Sequence, residues 1–207
     1  AIVAMVGSGN ISDPVDGQVN GVIARRSPGS ALKPFIYALA YESQRLSPES
    51  MVYDVPISLA GWQPSNFDRN YHGELSSAQA LRRSLNIPAI WVANCLGLAR
   101  CFEHLGTLGF KLPDDIEARS GLSFIVGGCE VSLLELTNAF AVFGRKGLYA
   151  PANIYSEQVA LKRVYSEAVC DNINHILSSA SLLPESLANF DPGQVPWFVW
   201  KTGTSSG

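Results

Sequence analysis

Long apolar runs are missing from this chain: no window reaches the roughly 18 to 20 consecutive apolar residues that cross a bilayer, and no basic-then-apolar leader with a cleavage site opens it. Any membrane anchor is therefore expected outside these 207 residues. Paired cysteines are missing too. Cys95, Cys101, Cys129 and Cys170 show neither the short double spacing of a zinc site nor a Cys-x-x-Cys redox pair, and His72, His104 and His175 are scattered. No metal and no other cofactor is expected. The even count permits disulfides in an oxidising compartment, with Cys95 and Cys101 the favoured couple, but four buried free thiols are the expected state. Excess positive charge is absent as well: the net charge is -3, and the Arg25-Arg26 and Arg82-Arg83 pairs are too short to track a phosphate backbone. Nucleic acid is excluded as a partner on that ground. There is also no long polar low-complexity stretch, and with 47% hydrophobic and 16% charged residues the chain can bury one substantial core. It opens on "AIVAMVG" without an initiator Met and stops at "KTGTSSG", so both ends read as cut.

The punctuation of the chain suggests alternating order. "AIVAMVG" reads as a short buried strand before a loop rich in Gly, Asp, Pro and Asn that runs to residue 20. Leu32, Ile36, Leu39 and Ala40 recur at helical spacing, which predicts a helix over 29–44. Residues 51–71 are dense in Pro, Asn, Asp and aromatics and predict an ordered but irregular excursion. "ELSSAQALRRSL" restores a helix, expected to end near Asn86 because Pro88 disfavours helical backbone at Ile87. "AIWVANCLG" and "ARCFEHLGTLG" predict a helical hairpin, each arm closed by glycine. Further helices are expected over 132–143 and 157–179, and "VPWFVWKTG" predicts a closing strand after Pro196. Strands at both extremes and helices between them point to an α+β domain over 1–207, an antiparallel sheet from the chain ends packed on a helical body.

Ser30 and Lys33 carry the first chemical signal. Positions three apart on a helix share a face at about 5 to 6 Å between Cβ atoms, which puts the Lys33 amine in reach of the Ser30 hydroxyl. A hydroxyl needs a neighbour that accepts its proton as it attacks. Lysine titrates near 10.4 in water, so Lys33 must be buried or crowded by a second cation to serve as that base. Ser30 alone also fits a plain helix N-cap. Two further clusters change the reading: Ser84 and Asn86 supply a hydroxyl and an amide in "SLN", and Lys201, Thr202 and Thr204 supply a cation and two hydroxyls in "KTGT", where Gly203 lets a substrate backbone come close. Singly, Ser84 and Asn86 fit helix capping and Lys201 fits an edge-strand charge. Jointly, Ser-x-x-Lys, Ser-x-Asn and Lys-Thr-Gly occur in the order found in penicillin-binding proteins and class A β-lactamases.

On "ARRSPGSALKPFIYALA", "GWQPSNFDRNYHGELSSAQALRRSLNIPAI", "GLSFIVGGCEVSLLELTNAFAVFGRKG" and "WKTGTSSG", the chain resembles the transpeptidase domain of class A bifunctional penicillin-binding proteins, most like the 1C subgroup. The "PSNFD…YHG" block separates it from a β-lactamase. The resemblance implies a penicillin-binding, serine β-lactamase-like fold whose upstream neighbours are a membrane helix and a glycosyltransferase domain, at the periplasmic face of the inner membrane. It implies that Ser30 attacks the carbonyl between the last two D-alanines of a peptidoglycan stem peptide, or a β-lactam in its place, and that an acceptor amine resolves the acyl-enzyme. Lys33 would be the base, Ser84 a proton relay, and Asn86 a substrate contact that also holds Lys33. Lys201 would add positive potential, Thr202 and Thr204 would bind the substrate carboxylate, and the N–H groups of Ser30 and Thr204 would form the oxyanion hole.

Other assignments follow from the same residues. Trp62, Phe67 and Tyr71 are expected in core packing ahead of a substrate groove, and His72 on the surface. A serine β-lactamase needs a water-activating Glu-x-x-Leu-Asn; the nearest match, "ESLAN" at 185–189, has Ala for Leu and lies too close to Lys201. A catalytically idle β-lactam or muropeptide sensor is the other alternative. Strands and a helix missing after Gly207 would leave the Lys-Thr-Gly strand unpaired, so the chain is expected to be one piece of a longer product.

Overall fold

The computed structural model describes residues 2–15, 17–59, 61–153, 159–178 and 199–204. After the short strand β1 (Arg25–Arg26), a 3-10 turn over Gly29–Leu32 runs directly into helix α1 (Lys33–Glu42). Pro34 is tolerated there because a first-turn N–H has no intrahelical partner to lose. Every residue from Lys33 to Tyr41 is buried, as expected of a helix that is apolar all round and therefore central. Phe35 is its anchor. The ring lies edge-on to Phe110 at 5.7 Å and to Phe140 at 4.8 Å, and stacks on Phe143 at 5.4 Å. Phe35→Ala should therefore cost about 3–5 kcal/mol of unfolding free energy, measured by denaturant titration.

Strands β2 (Met51–Asp54) and β3 (Gly73–Ser76) pair antiparallel, with Met51 opposite Ser76 and Asp54 opposite Gly73. Side chains alternate along β2, so Val52 and Asp54 face inward while Met51 and Tyr53 face out. Helix α2 (Ser77–Arg82) starts from a reciprocal capping box between Ser76 and Gln79. Helices α3 (Asn86–Leu96) and α4 (Leu98–Thr107) form the expected hairpin about Gly97, whose φ of +88° suits glycine. Helix α5 (Ile116–Ser120) and a 3-10 turn over Gly121–Val126 lead to β4 (Val131–Ser132), which pairs with β1. Ser132 and Glu135 box the start of α6 (Leu133–Gly144). Strands β5 (Leu148–Tyr149) and β6 (Lys162–Arg163) pair, and Ser166 caps α7 (Glu167–Leu177). Helix α1 packs against α3, α4 and α7 in the middle of the core.

Several local expectations are corrected. Residues 51–54 are strand and not irregular, because their alternating Val52 and Asp54 find a partner strand in β3. The stretch read as one helix from Glu74 divides into β3 and α2. Asn86 begins α3 instead of ending a helix: Pro88 sits at its third position, inside the first turn, where no hydrogen bond is forfeited. The helix expected over 157–179 is α7 alone within the described residues, with β6 before it. The antiparallel pairing of the α+β reading is present as three two-stranded ladders, none of which, among the described residues, joins the chain ends. Residues 2–7 form no ladder with the described residues; Ile2 N donates to Asn153 O at 3.0 Å. The start of "VPWFVWKTG" lies outside the described residues, and 199–204 run beside the end of α7, with Trp200 N donating to Leu177 O, and pair with no strand among the described residues. The cysteines are free thiols; Cys101, Cys129 and Cys170 are buried, but Cys95 is exposed on α3 and is not coupled to Cys101.

Candidate active site

Close backbone packing brings the first and third polar clusters together. Gly29 has φ +54°, and a Cβ there would press into the backbone of Thr204, whose nitrogen would be 2.7 Å away. A Cβ on Gly203 would meet Pro28 O at 2.7 Å. Glycine is required at both positions because the turn that carries Ser30 and the segment Lys201–Thr204 lie backbone to backbone. Ser30 is half-buried on the 3-10 turn, with Lys33 one turn later at the head of α1.

Lys33 is fully buried. Its Nζ donates to Ser84 O and to Asn86 Oδ1, both at 2.7 Å. The expected contact between Ser30 and Lys33 is not among the hydrogen bonds of the described residues; the lysine's bonds go to the Ser-x-Asn cluster instead. That choice has a chemical consequence. A neutral amine has two N–H bonds and one lone pair, so with both hydrogens taken by carbonyl oxygens the lone pair is the direction left over, as a base requires. Burial, and then the positive charge of Lys201, hold the Lys33 amine well below the usual lysine range.

Ser84 links the two lysines. It lies in the turn between α2 and α3 with φ +58°, a left-handed conformation that is uncommon for residues other than glycine. From there its carbonyl serves Lys33 while its hydroxyl accepts from Lys201 Nζ at 2.6 Å. Lys201 also donates to Thr202 O at 2.8 Å, and burial lowers it to about 8. Arg82, Arg83, Trp200 and Thr202 join Ser84 and Lys201 around a cleft of about 150 Å³. Its cationic rim suits an anionic ligand end. Thr202, Gly203 and Thr204 are exposed along the approach.

Asn86 is gripped on both sides by a segment whose residues carried no assigned role in the motif reading. Its backbone N–H donates to Asn66 Oδ1 at 2.8 Å, and its side-chain Nδ2 donates to Ser65 O at 2.8 Å. Asn66 in turn donates to both oxygens of the buried Asp54, at 2.8 and 2.9 Å. His72, expected on the surface, is half-buried with Nδ1 2.8 Å from Asp54 Oδ2. The available signal was Asp54 itself, a carboxyl group at an inward position of an alternating strand. Trp62, Phe67 and Tyr71, expected in the core, are instead 36%, 90% and 43% exposed, because the loop that bears them turns its polar residues, not its rings, toward the protein. The 185–189 segment lies outside the described residues.

Similarity to known proteins runs over nearly the whole chain. Residues 1–206 match the family model described as the penicillin binding protein transpeptidase domain. The chain is 36% identical over 205 residues to penicillin-binding protein 1C of Escherichia coli (strain K12), covering 98% of this chain and 26% of that protein. It is 35% identical over 133 residues to penicillin-binding protein 1F of Bacillus subtilis (strain 168), covering 63% of this chain and 18% of that protein. The chain thus spans about a quarter or less of these relatives. Among solved structures, the transpeptidase domain of penicillin-binding protein 3 from Burkholderia pseudomallei has a TM-score of 0.66 at 20% identity, covering 78% of this chain and 55% of that one, a likeness of fold.

Proposed function

The chain belongs to the transpeptidase domain family of penicillin-binding proteins, and from that membership we propose that it is a peptidoglycan D,D-transpeptidase acting through an acyl-enzyme on Ser30. The observation that carries the reading is the buried Lys33 amine, whose N–H bonds are both engaged by the Ser-x-Asn cluster while Lys201 holds its charge down.

Ser30 Oγ attacks the carbonyl carbon of the penultimate D-alanine as Lys33 accepts the hydroxyl proton. The backbone N–H groups of Ser30 and Thr204 receive the developing oxyanion. Collapse breaks the C–N bond; a proton passed from Lys33 by way of Ser84 reaches the departing nitrogen, and D-alanine leaves. An amine from a second stem peptide then attacks the ester carbon, forming the new amide and returning the Ser30 hydroxyl. Water in place of that amine gives hydrolysis. Asn86 and the hydroxyls of Thr202 and Thr204 hold the donor peptide, and Lys201 faces its terminal carboxylate. A β-lactam acylates Ser30 in the same way but keeps its leaving nitrogen tethered.

The reaction belongs at the periplasmic face of the inner membrane, with the glycosyltransferase half of a bifunctional protein and the anchor supplied by other parts of the molecule. The support is that the Escherichia coli relative is nearly four times longer than the matched region, and that among the described residues no helix is long and apolar enough to cross a membrane.

The test is to incubate the full-length protein with a penicillin, digest with trypsin and map the adduct by mass spectrometry. The intact penicillin mass is expected on the peptide spanning 27–45, at Ser30. A stable adduct on another residue, or none, contradicts the reading.

A further inference from the structure

Asn86 begins α3, and its N–H is one of the orphan donors of a helix start. The preceding residue, Leu85, has no side chain able to cap it. Asn66 Oδ1 fills that role from a distant loop, and Ser65 O fixes the Asn86 amide so that Oδ1 turns toward Lys33. The question is what fixes Asn66. Its Nδ2 donates to both oxygens of Asp54 and to Asn70 O at 2.8 Å, so its amide hydrogens face carboxyl and carbonyl acceptors and its oxygen has to point at Asn86. Asp54 is fully buried at the end of β2 and also takes the His72 backbone N–H at 2.9 Å and the His72 ring at 2.8 Å. The loop between β2 and β3 is thereby tied at both ends to one carboxyl group.

We propose that Asp54 and Asn66 are positioning residues for acylation, a strut that sets the orientation of the Asn86 amide and through it the donor geometry of Lys33. This rests on the transpeptidase reading only for its kinetic consequence; the orientation itself has a separate readout. The strut is sensitive to polarity, not size. In Asp54→Asn, Oδ2 takes both His72 donors and must stay an oxygen. The amide nitrogen therefore replaces Oδ1, the atom 2.8 Å from Asn66 Nδ2, and sets donor against donor there while Oδ2 and Asn70 O stay available to Asn66. The Asn66 amide is pushed away from the new nitrogen toward Asn70 O, which draws its Oδ1 off the Asn86 N–H and weakens that bond.

Three variants of the full-length protein test this: Asp54→Asn, Asn66→Asp and the two together. In the double variant, the amide nitrogen at position 54 donates to the carboxylate at position 66, whose second oxygen again accepts the Asn86 N–H, although the first oxygen now faces Asn70 O without a hydrogen between them. Each single variant is expected to speed amide hydrogen exchange at Asn86 and to slow penicillin acylation of Ser30 roughly 10- to 100-fold, the scale of a small misplacement of a catalytic group. The double variant should recover part of both, the bond to Asn70 O being lost. Asn66→Ser, which keeps a hydroxyl near Asp54 but is too short to reach Asn86, should show the single-variant signature and stands in if Asp54→Asn does not fold. Unchanged exchange at Asn86 in the single variants overturns the proposal, as does a double variant that melts like the wild type yet labels no faster than the singles. If the wild type takes no penicillin at Ser30, the transpeptidase reading fails, while the Asn86 exchange still decides for or against the strut.

Discussion

Lys33→Met is expected to slow acylation of Ser30 by a penicillin about 10²- to 10⁴-fold, the usual contribution of a positioned general base, with the fold retained. Methionine has nearly the length of lysine and places an apolar end in a site that is fully buried. It therefore removes the desolvation penalty of the amine without opening a large cavity. What it takes away is the lone pair aimed past the two oxygens of Ser84 and Asn86. The loss of rate should persist at every penicillin concentration, since the change strikes the proton transfer and not the rim residues of the cleft. Stopped-flow labelling with a fluorescent penicillin measures it, and circular dichroism checks the fold. Labelling within threefold of wild type would transfer the base role to another group of the cluster, such as Ser84, whose hydroxyl accepts from the Lys201 ammonium.

The polar clusters were legible because chemistry demands particular residue types at short spacings: Ser30 with Lys33, Ser84 with Asn86, and Lys201 through Thr204 each fit within one turn or one short extended segment. Helix α1 and the α3–α4 hairpin were legible from apolar recurrence and from glycine at the exits. Sequence reasoning failed where a residue's role depends on a remote partner. Pro88 reads as a stop when seen from upstream, yet it is harmless in a first turn, and only the site reveals that Asn86 must start a helix. His72 looks like an ordinary surface residue and Asp54 like one more polar residue of an irregular stretch until the loop between β2 and β3 folds back and brings His72 and Asn66 onto the buried Asp54 carboxyl. Trp62, Phe67 and Tyr71 misled in the other direction, since apolar character alone does not say which side of an irregular loop turns inward. Asn66 lies in the "PSNFD…YHG" block, which was informative as a family signature without disclosing the hydrogen bonds that make it one.

The second large effect concerns pH. Lys33 is held low by burial first and by the Lys201 charge second; Lys201 is held at about 8 by its own burial. Acylation should accordingly climb with pH as Lys33 loses its proton, and the climb should be complete below the ordinary lysine value of 10.5. Lys201→Met removes the second cation, so the climb moves to higher pH. It also removes a charged donor from Ser84 Oγ, a bond worth about 1.5–3 kcal/mol, or roughly 10- to 150-fold in rate at neutral pH. Stability changes in the matching window. Between about 8 and 10.5 the unfolded chain binds more protons at position 201 than the native one does, so this lysine's contribution is fully present above 10.5 and is lost as pH falls through about 8. The unfolding free energy should therefore rise with pH more steeply in the wild type than in Lys201→Met across that window. A pH–rate profile that does not move in the variant would mean that burial alone sets the state of Lys33, and that Lys201 serves only to hold Ser84 and the substrate carboxylate.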